Sequence, residues 1–260
     1  MTAPVRVARL VEREMRIMRH LWHGIAFTAF VAPLLFLVAM GIGVGGYVDE
    51  RSSAALEGLS YLKFVGPGLL AANILQLAVA DSMWWVMGGT KWEKRYHAMV
   101  ASPLGSTDVL GGHLAWEALR AAATTIAFLI VAAPLGALGS WWALVSPLVA
   151  MLLVVAVSAP VAAFATWVET DRSFPVIMRV GVMPLFLFSG TFFPTSTLPA
   201  WARDLVQLSP LYHGVELLRA ATTGRSPGLT NLLAHVLVLT ALATVGWLMA
   251  RSTFARRLTP

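Results

Sequence analysis

Runs of about twenty apolar residues, separated by short charged or Gly/Pro-rich stretches, recur along almost the whole chain. A helix needs roughly 20 such residues to cross about 30 Å of hydrocarbon, so each run is a candidate span. Six are expected, over residues 25–46, 64–87, 119–138, 142–167, 174–193 and 229–250. The first, fourth and sixth contain no charged residue. The second holds Asp81 near one end, the third begins beside Glu117 and Arg120, and the fifth contains Arg179 and a potential kink at Pro184. The fold class this predicts is all-α: a polytopic membrane protein with six transmembrane helices.

Residues 4–22 follow a different rhythm. At 100° per residue, Val7, Leu10, Val11, Met18, Leu21 and Trp22 gather on one side, with Arg6, Arg9, Arg13 and Arg16 opposite. That pattern predicts an amphipathic helix lying along the membrane interface, its arginines toward water and lipid phosphates. Five arginines spread over this stretch are unlike the short basic region of a secretory signal, so the segment is expected to stay on the mature protein. Glu14 points into the apolar side, either paired locally with an arginine or touching another element beneath the helix.

Composition agrees with a membrane solvent. Of 260 residues, 58% are hydrophobic and only 12% charged, against about a quarter charged in soluble domains. The formal charge is +6, yet the cations sit in short clusters between apolar runs, which fits membrane topology and not a nucleic-acid face. With the N-terminus in the cytoplasm, Arg6, Arg9, Arg13, Arg16, Arg19, Lys91, Lys94, Arg95, Arg120, Arg172, Arg179, Arg251, Arg256 and Arg257 fall at cytoplasmic ends. Only Arg51, Lys63, Arg203, Arg219 and Arg225 lie outside, and six spans return the C-terminus to the cytoplasm. A multi-pass protein of the cytoplasmic (inner) cell membrane is expected. The absence of cysteine excludes disulfides, thiolate metal sites and cysteine nucleophiles.

Between the second and third spans, residues 91–104 mix charge with aromatics and end at Ser102-Pro103-Leu104, where proline disfavours helix in the preceding residue. Either this is a solvated loop, or it is a short amphipathic helix of the kind that docks into a partner's groove. On the outer side, residues 194–227 are punctuated by Pro194, Pro199, Pro210 and Pro227. Leu205, Leu208, Leu211, Val215 and Leu218 keep helical spacing there, so short amphipathic helices are expected. Glu216 and Arg219 form an i, i+3 pair, read first as a structural salt bridge and alternatively as part of an outer gate. Trp141, Trp142, Trp201 and Tyr212 suit an interfacial aromatic belt. Asn73 and Gln76 share one face of the second span and either line a path or bond a neighbouring helix.

These residues resemble the ABC-2 type transporter permeases, and within them the NodJ-like branch linked to export of lipid-linked oligosaccharides. The likeness rests on Glu93 to Leu104, on Asp108-Val109-Leu110-Gly111-Gly112, and on Ser189-Gly190-Thr191-Phe192-Phe193-Pro194. It continues in Leu198-Pro199-Ala200-Trp201 and in Ser209-Pro210-Leu211-Tyr212-His213 with Glu216 and Arg219. The resemblance implies a dimer of permeases, a homodimer in the simpler case, joined to a dimer of cytoplasmic ATPases that bind ATP and Mg; no cofactor is expected on this chain. It implies that Trp92, Glu93, Lys94, Arg95, Tyr96, His97, Ser102, Pro103 and Leu104 form the ATPase-coupling helix. The interfacial helix, with Arg9, Arg13, Glu14 and Arg16, would rest beside it among membrane lipids. Outer short helices would dip back into the membrane, with Phe192, Phe193, Tyr212, His213, Glu216 and Arg219 as the candidate outer gate. Substrate would pass between two permeases along the first, second and fifth spans, Asn73 and Gln76 included.

The residues divide the labour in the same way. No Gly-Lys-Ser/Thr phosphate loop occurs, so energy must come from a partner or a gradient. Gly41 to Gly46 match GxGxxG by letter but end an apolar span, which suits close helix approach or a loosened helix end better than nucleotide binding. A gradient-driven transporter or channel needs ionisable groups at mid-membrane. Asp81, Glu117, Arg120 and Arg179 are expected toward span ends, leaving His235, Asn73 and Gln76 in the middles, with His235 read as a packing residue before a proton relay. His20 and His23 lack a carboxylate partner in a metal-binding arrangement, and the nucleophile-elbow and zinc-protease motifs are absent, so no enzyme is expected.

Overall fold

The computed structural model describes residues 3–44, 56, 58–225 and 227–258, and every regular element among them is helical. Gly45, Gly46 and Arg51 lie outside the described residues, as do the side chains of Leu21, Trp22 and His23. Helix α1 (Ala3–Val38) continues as a π-helical turn over Ala39–Val44. Helix α2 (Tyr61–Ala80) runs on through π-helical segments Asp81–Trp85 and Gly88–Trp92, and α3 is the short helix Arg95–Val100. Then come α4 (Ser106–Ala132), α5 (Ser146–Trp167, entered by the 3₁₀ turn Trp141–Val145), α6 (Phe174–Val176) and α7 (Met183–Phe188). Helices α8 (Ala200–Gln207), α9 (Pro210–Thr223) and α10 (Leu229–Leu258) complete the chain.

Four helices among the described residues are long and apolar enough to cross a membrane: Tyr61–Trp92, Ser106–Ala132, Trp141–Trp167 and Leu229–Leu258. They match four of the six expected spans, with one shift. The third helix starts at Ser106 and stops at Ala132, where the apolar run suggested 119–138. Asp108, His113 and Glu117 hide its first half from a hydropathy reading, and all three are buried. The fifth expected span is α6 and α7 joined by a π-helical stretch, Ile177–Val182; prolines 175 and 184 sit at the start of each α-helical piece. Nothing between residues 22 and 25 breaks α1, so the expected interfacial helix and first span form one unbroken helix, a single Gly24 being tolerable in that setting.

Small residues set the packing. Helix α5 is the centre of the bundle, touching α2, α4, α9 and α10. A Cβ on Gly246 of α10 would stand 2.4 Å from Pro160 Cδ of α5, so these two backbones meet as closely as the chain permits. Gly214 holds α9 against Leu153 of α5 in the same way, at 2.5 Å. Part of the apolar side of the N-terminal helix is likewise covered by protein: Leu10 is buried, and a Cβ on Gly112 of α4 would meet it at 2.8 Å.

Candidate functional site

The segment after α2 is built as a raised corner. Trp92 ends the long helix, and Lys94 takes a left-handed conformation (φ 52°), alone among the described non-glycine residues, which turns the chain into α3. Tyr96 is the anchor of that corner. Its ring lies against Gly89, where any Cβ would clash at 2.8 Å, and 5.9 Å from Phe254 of α10. Burial pushes its hydroxyl well above the usual tyrosine value, so it stays neutral. Arg95 stacks on Trp85 at 4.4 Å and pairs with Glu93 at 3.3 Å. Trp92, Glu93 and Lys94 remain exposed, as do Ser102 and Pro103. The expected coupling residues therefore divide into inward anchors (Arg95, Tyr96) and an outward face, with His97 and Leu104 half-buried between.

Neighbouring elements lock this corner in place. The Pro103 carbonyl accepts a 3.0 Å hydrogen bond from Arg6, which also pairs with Asp108 at 3.1 Å. Asp108 in turn accepts from the Gly105 N–H at 2.9 Å, capping α4. Glu14 satisfies both alternatives: it pairs with Arg13 at 2.6 Å and lines a cavity of about 20 Å³, room for one water, with Trp85, Tyr96 and His113. Arg9 and Arg16 flank Glu12 at 3.7 and 2.6 Å, and the Arg16 hydrogen bond holds that carboxyl below its usual range. On the other side Glu169 joins Lys91 (3.6 Å) to Arg257 (2.8 Å), fixing the loop after α5 against the C-terminal helix.

Asn73 and Gln76 are exposed on α2 and both face a cavity of about 200 Å³ between α1, α2, α4 and α7. Its walls are otherwise apolar: Phe36, Leu37, Leu69, Phe128 and Phe186 among them, with Thr124 as a third neutral polar group. Aromatics gather beside it. Phe186 meets Phe192 edge-on at 5.2 Å, and Phe192, Phe36 and Leu69 pack on the buried cluster of Tyr61 and Phe64. Arg219 pins that cluster, donating to the Gly190 carbonyl at 2.6 Å, pairing with Glu216 at 2.8 Å and lying 4.0 Å over the Phe64 ring. Phe193 packs on Phe188 instead. The Glu216–Arg219 pair expected from sequence is present, and it ties α9 to two other segments.

Other expectations meet mixed outcomes, and the short helices expected over 194–227 are present as α8 and α9. Leu205 and Leu208 are exposed (60% and 76%) while Leu211, Val215 and Leu218 are fully buried, because the chain turns at Ser209-Pro210 and starts a new helix in a new register. Trp141, Trp142 and Trp201 are exposed as a belt requires, but Tyr212 is tucked edge-on between His213 and His235. His235 is a bonded packing residue: its Nδ1 lies 2.7 Å from His213 Nδ1, and the Gln207 carbonyl lies 2.9 Å from His213 Nε2. Glu117 and Arg120 do not begin the third long helix, and Asp81 lies about two-thirds of the way along Tyr61–Trp92. Glu117 and Arg120 fall midway along Ser106–Ala132, and Arg120 is hydrogen-bonded to Asp81 across the α2–α4 contact. Sequence reading missed this pairing because 39 residues separate the partners.

Long apolar helices around an apolar cavity, with a fixed corner where the second long helix ends, are the architecture of a polytopic membrane protein. More particularly, the chain belongs to the ABC-2 type transporter family, whose sequence pattern matches residues 6–222. Similar proteins include nodulation protein J of Rhizobium leguminosarum bv. viciae, 26% identical over 227 residues, covering 87% of this chain and 85% of the relative. Nodulation protein J of Rhizobium meliloti (strain 1021) is 24% identical over 244 residues, 92% of this chain and 90% of the relative. That of Bradyrhizobium diazoefficiens is 26% identical over 242 residues, 91% and 89% respectively. The branch expected from the motifs is thus the one these relatives represent.

Proposed function

We propose that the chain is the permease subunit of an ATP-driven exporter, moving an amphipathic substrate such as a lipid-linked saccharide outward across the cytoplasmic membrane. It crosses the bilayer six times with both termini in the cytosol, the N-terminal part of α1 lying at the interface. Two copies work with a dimer of a separate ATPase that binds the ATP and Mg. The observation that carries this reading is the α2–α3 corner. Trp92, Glu93 and Lys94 are held outward on a base that Tyr96, Arg6 and Arg95 make rigid, which is what a docking element must offer if motion is to pass through it. Family membership supports an ABC ATPase as the occupant.

Asn73, Gln76 and Thr124 in an otherwise apolar cavity suit a cargo with apolar bulk and few uncharged polar groups. The test is to co-express the chain with candidate ATPases and measure co-purification and ATP hydrolysis after Trp92→Ala and Glu93→Ala. Loss of association with the fold intact is expected; unchanged association and turnover would remove the docking assignment. A second reading, a gradient-driven transporter acting alone, draws on the mid-helix position of Asp81, Glu117 and Arg120. Substrate movement in vesicles lacking any ATPase would favour it over the first.

A further inference from the structure

Three ionic groups meet where α2 changes from α-helical to π-helical geometry. Arg120 of α4 bonds to Asp81, the first residue of the π-helical segment Asp81–Trp85. The same guanidinium nitrogen lies 3.7 Å from Oε1 of Glu117, one turn earlier on its own helix. Glu117 is 2% exposed, and its Oε2 has no hydrogen-bond partner among the described residues. One cation thus stands between two carboxylates, and the more deeply buried of them is the less well satisfied. Buried carboxylates without partners are costly and rare, so such a group calls for a reason. Next to this site Ser82 of α2 sits 3.2 Å from His113 of α4, buried in the same helix contact.

We propose that Arg120 is a releasable tie, held by Asp81 in the state described here and by Glu117 in a second state. On Asp81 it joins α2 to α4; on Glu117 it forms an i, i+3 pair within α4 and lets α2 go. The segment set free is the one that carries the corner: two π-helical stretches, with Gly88 and Gly89, run from Asp81 to Trp92 and deliver α3. π-Helical turns of this kind are frequent at functional sites. Glu117 is a positioning residue in this device: the guanidinium, already 3.7 Å from its Oε1, closes to hydrogen-bonding distance once it leaves Asp81. The inference rests on the reading that force enters through α3.

The test uses the full chain, which has no cysteine of its own, carrying the single substitution Ser82→Cys and assembled with its ATPase in vesicles. Labelling of that thiol by N-ethylmaleimide is followed with and without ATP plus vanadate. Labelling is expected to rise severalfold on nucleotide trapping. It is expected not to rise with Glu117→Asp, which keeps charge and fold but shortens the reach, and to be high without nucleotide in Asp81→Asn. A nucleotide response equally large in Glu117→Asp, or low labelling in Asp81→Asn, overturns the tie. Should no ATPase associate, the exporter reading fails, while the Asp81→Asn arm, which needs no partner, still decides whether Asp81 holds the two helices together.

Discussion

Arg219 donates a 2.6 Å hydrogen bond to the carbonyl oxygen of Gly190, across 29 residues of chain. Gly190 is in the left-handed region (φ 83°), which aims that carbonyl at α9. The backbone of Thr191 then lies directly on α2, where a Cβ at Gly68 would meet it at 2.8 Å. One guanidinium therefore holds the Gly190–Thr191 loop, the start of α2 and α9 as a unit beside the cavity that Asn73 and Gln76 face.

Replacing that fork tests the unit. Arg219→Lys keeps the charge but cannot bond Glu216 and the Gly190 carbonyl while stacking on Phe64. A loss of about 1–3 kcal/mol is expected, the scale of a charge-assisted hydrogen bond left unmade. Thermal unfolding of the purified protein measures it. An Arg219→Lys chain as stable as the parent would show that the aromatic cluster does not depend on this bracket.

Two glycines make a paired test of helix approach. At Gly246 a methyl group would sit 2.7 Å from the backbone nitrogen of Pro160, an atom that cannot swing aside, whereas at Gly43 a Cβ meets nothing within 4 Å. Gly246→Ala should destabilise by about 1–3 kcal/mol despite better helix propensity, because overpacking outweighs roughly 1 kcal/mol of propensity gain. Gly43→Ala should be neutral or stabilising. Equal effects at both positions would mean that the α5–α10 contact is looser than described.

How much of this was readable beforehand follows from the range of the forces involved. Residues 142–167 and 229–250 appear as helices because their apolar length alone specifies them, and α5 with its entering 3₁₀ turn, and α10, cover them. The ending of the corner at Ser102-Pro103 was legible too, since proline acts on its immediate neighbour. The turn at Lys94 was not: a lysine gives no local sign that it will be left-handed. The start of α4 at Ser106 was hidden for a different reason. Asp108, His113 and Glu117 are acceptable in a membrane helix because Arg6, Ser82 and Arg120 face them. Two of those three partners come from other helices, Ser82 and Arg6, and Arg120 is itself turned toward Asp81. Pairings between helices leave no trace in a single run of sequence.

Glu169 gives a pH prediction. The hydrogen bond from Arg257, reinforced by Lys91, holds its carboxyl below the ordinary value of 4.5. A carboxyl depressed on folding adds stability at pH above its ordinary value and loses it as pH falls through the folded value. The difference in thermal midpoint between wild type and Glu169→Gln should therefore be constant near neutral pH and shrink once the pH drops below about 4.5. Because the carboxylate is exposed, high salt should shrink it as well. A difference that grew on acidification would mean that another group dominates this corner.

The last prediction separates folding from docking at α3. Lys94 holds φ at 52°, a conformation that costs an L-residue roughly 1–2 kcal/mol and glycine far less. Lys94→Gly relieves that strain while giving back about 0.5–1 kcal/mol of unfolded-chain entropy, so stability should stay level or rise slightly. Lys94→Val, β-branched and ill-suited to this region, should cost about 1–2 kcal/mol more than the parent. If the corner's shape is what the partner reads, association with the ATPase should fall in Lys94→Val and persist in Lys94→Gly, although both have lost the charge. Binding assays beside unfolding curves distinguish the cases. Equal loss of binding in both variants would assign the contact to the lysine charge, and not to the turn it makes.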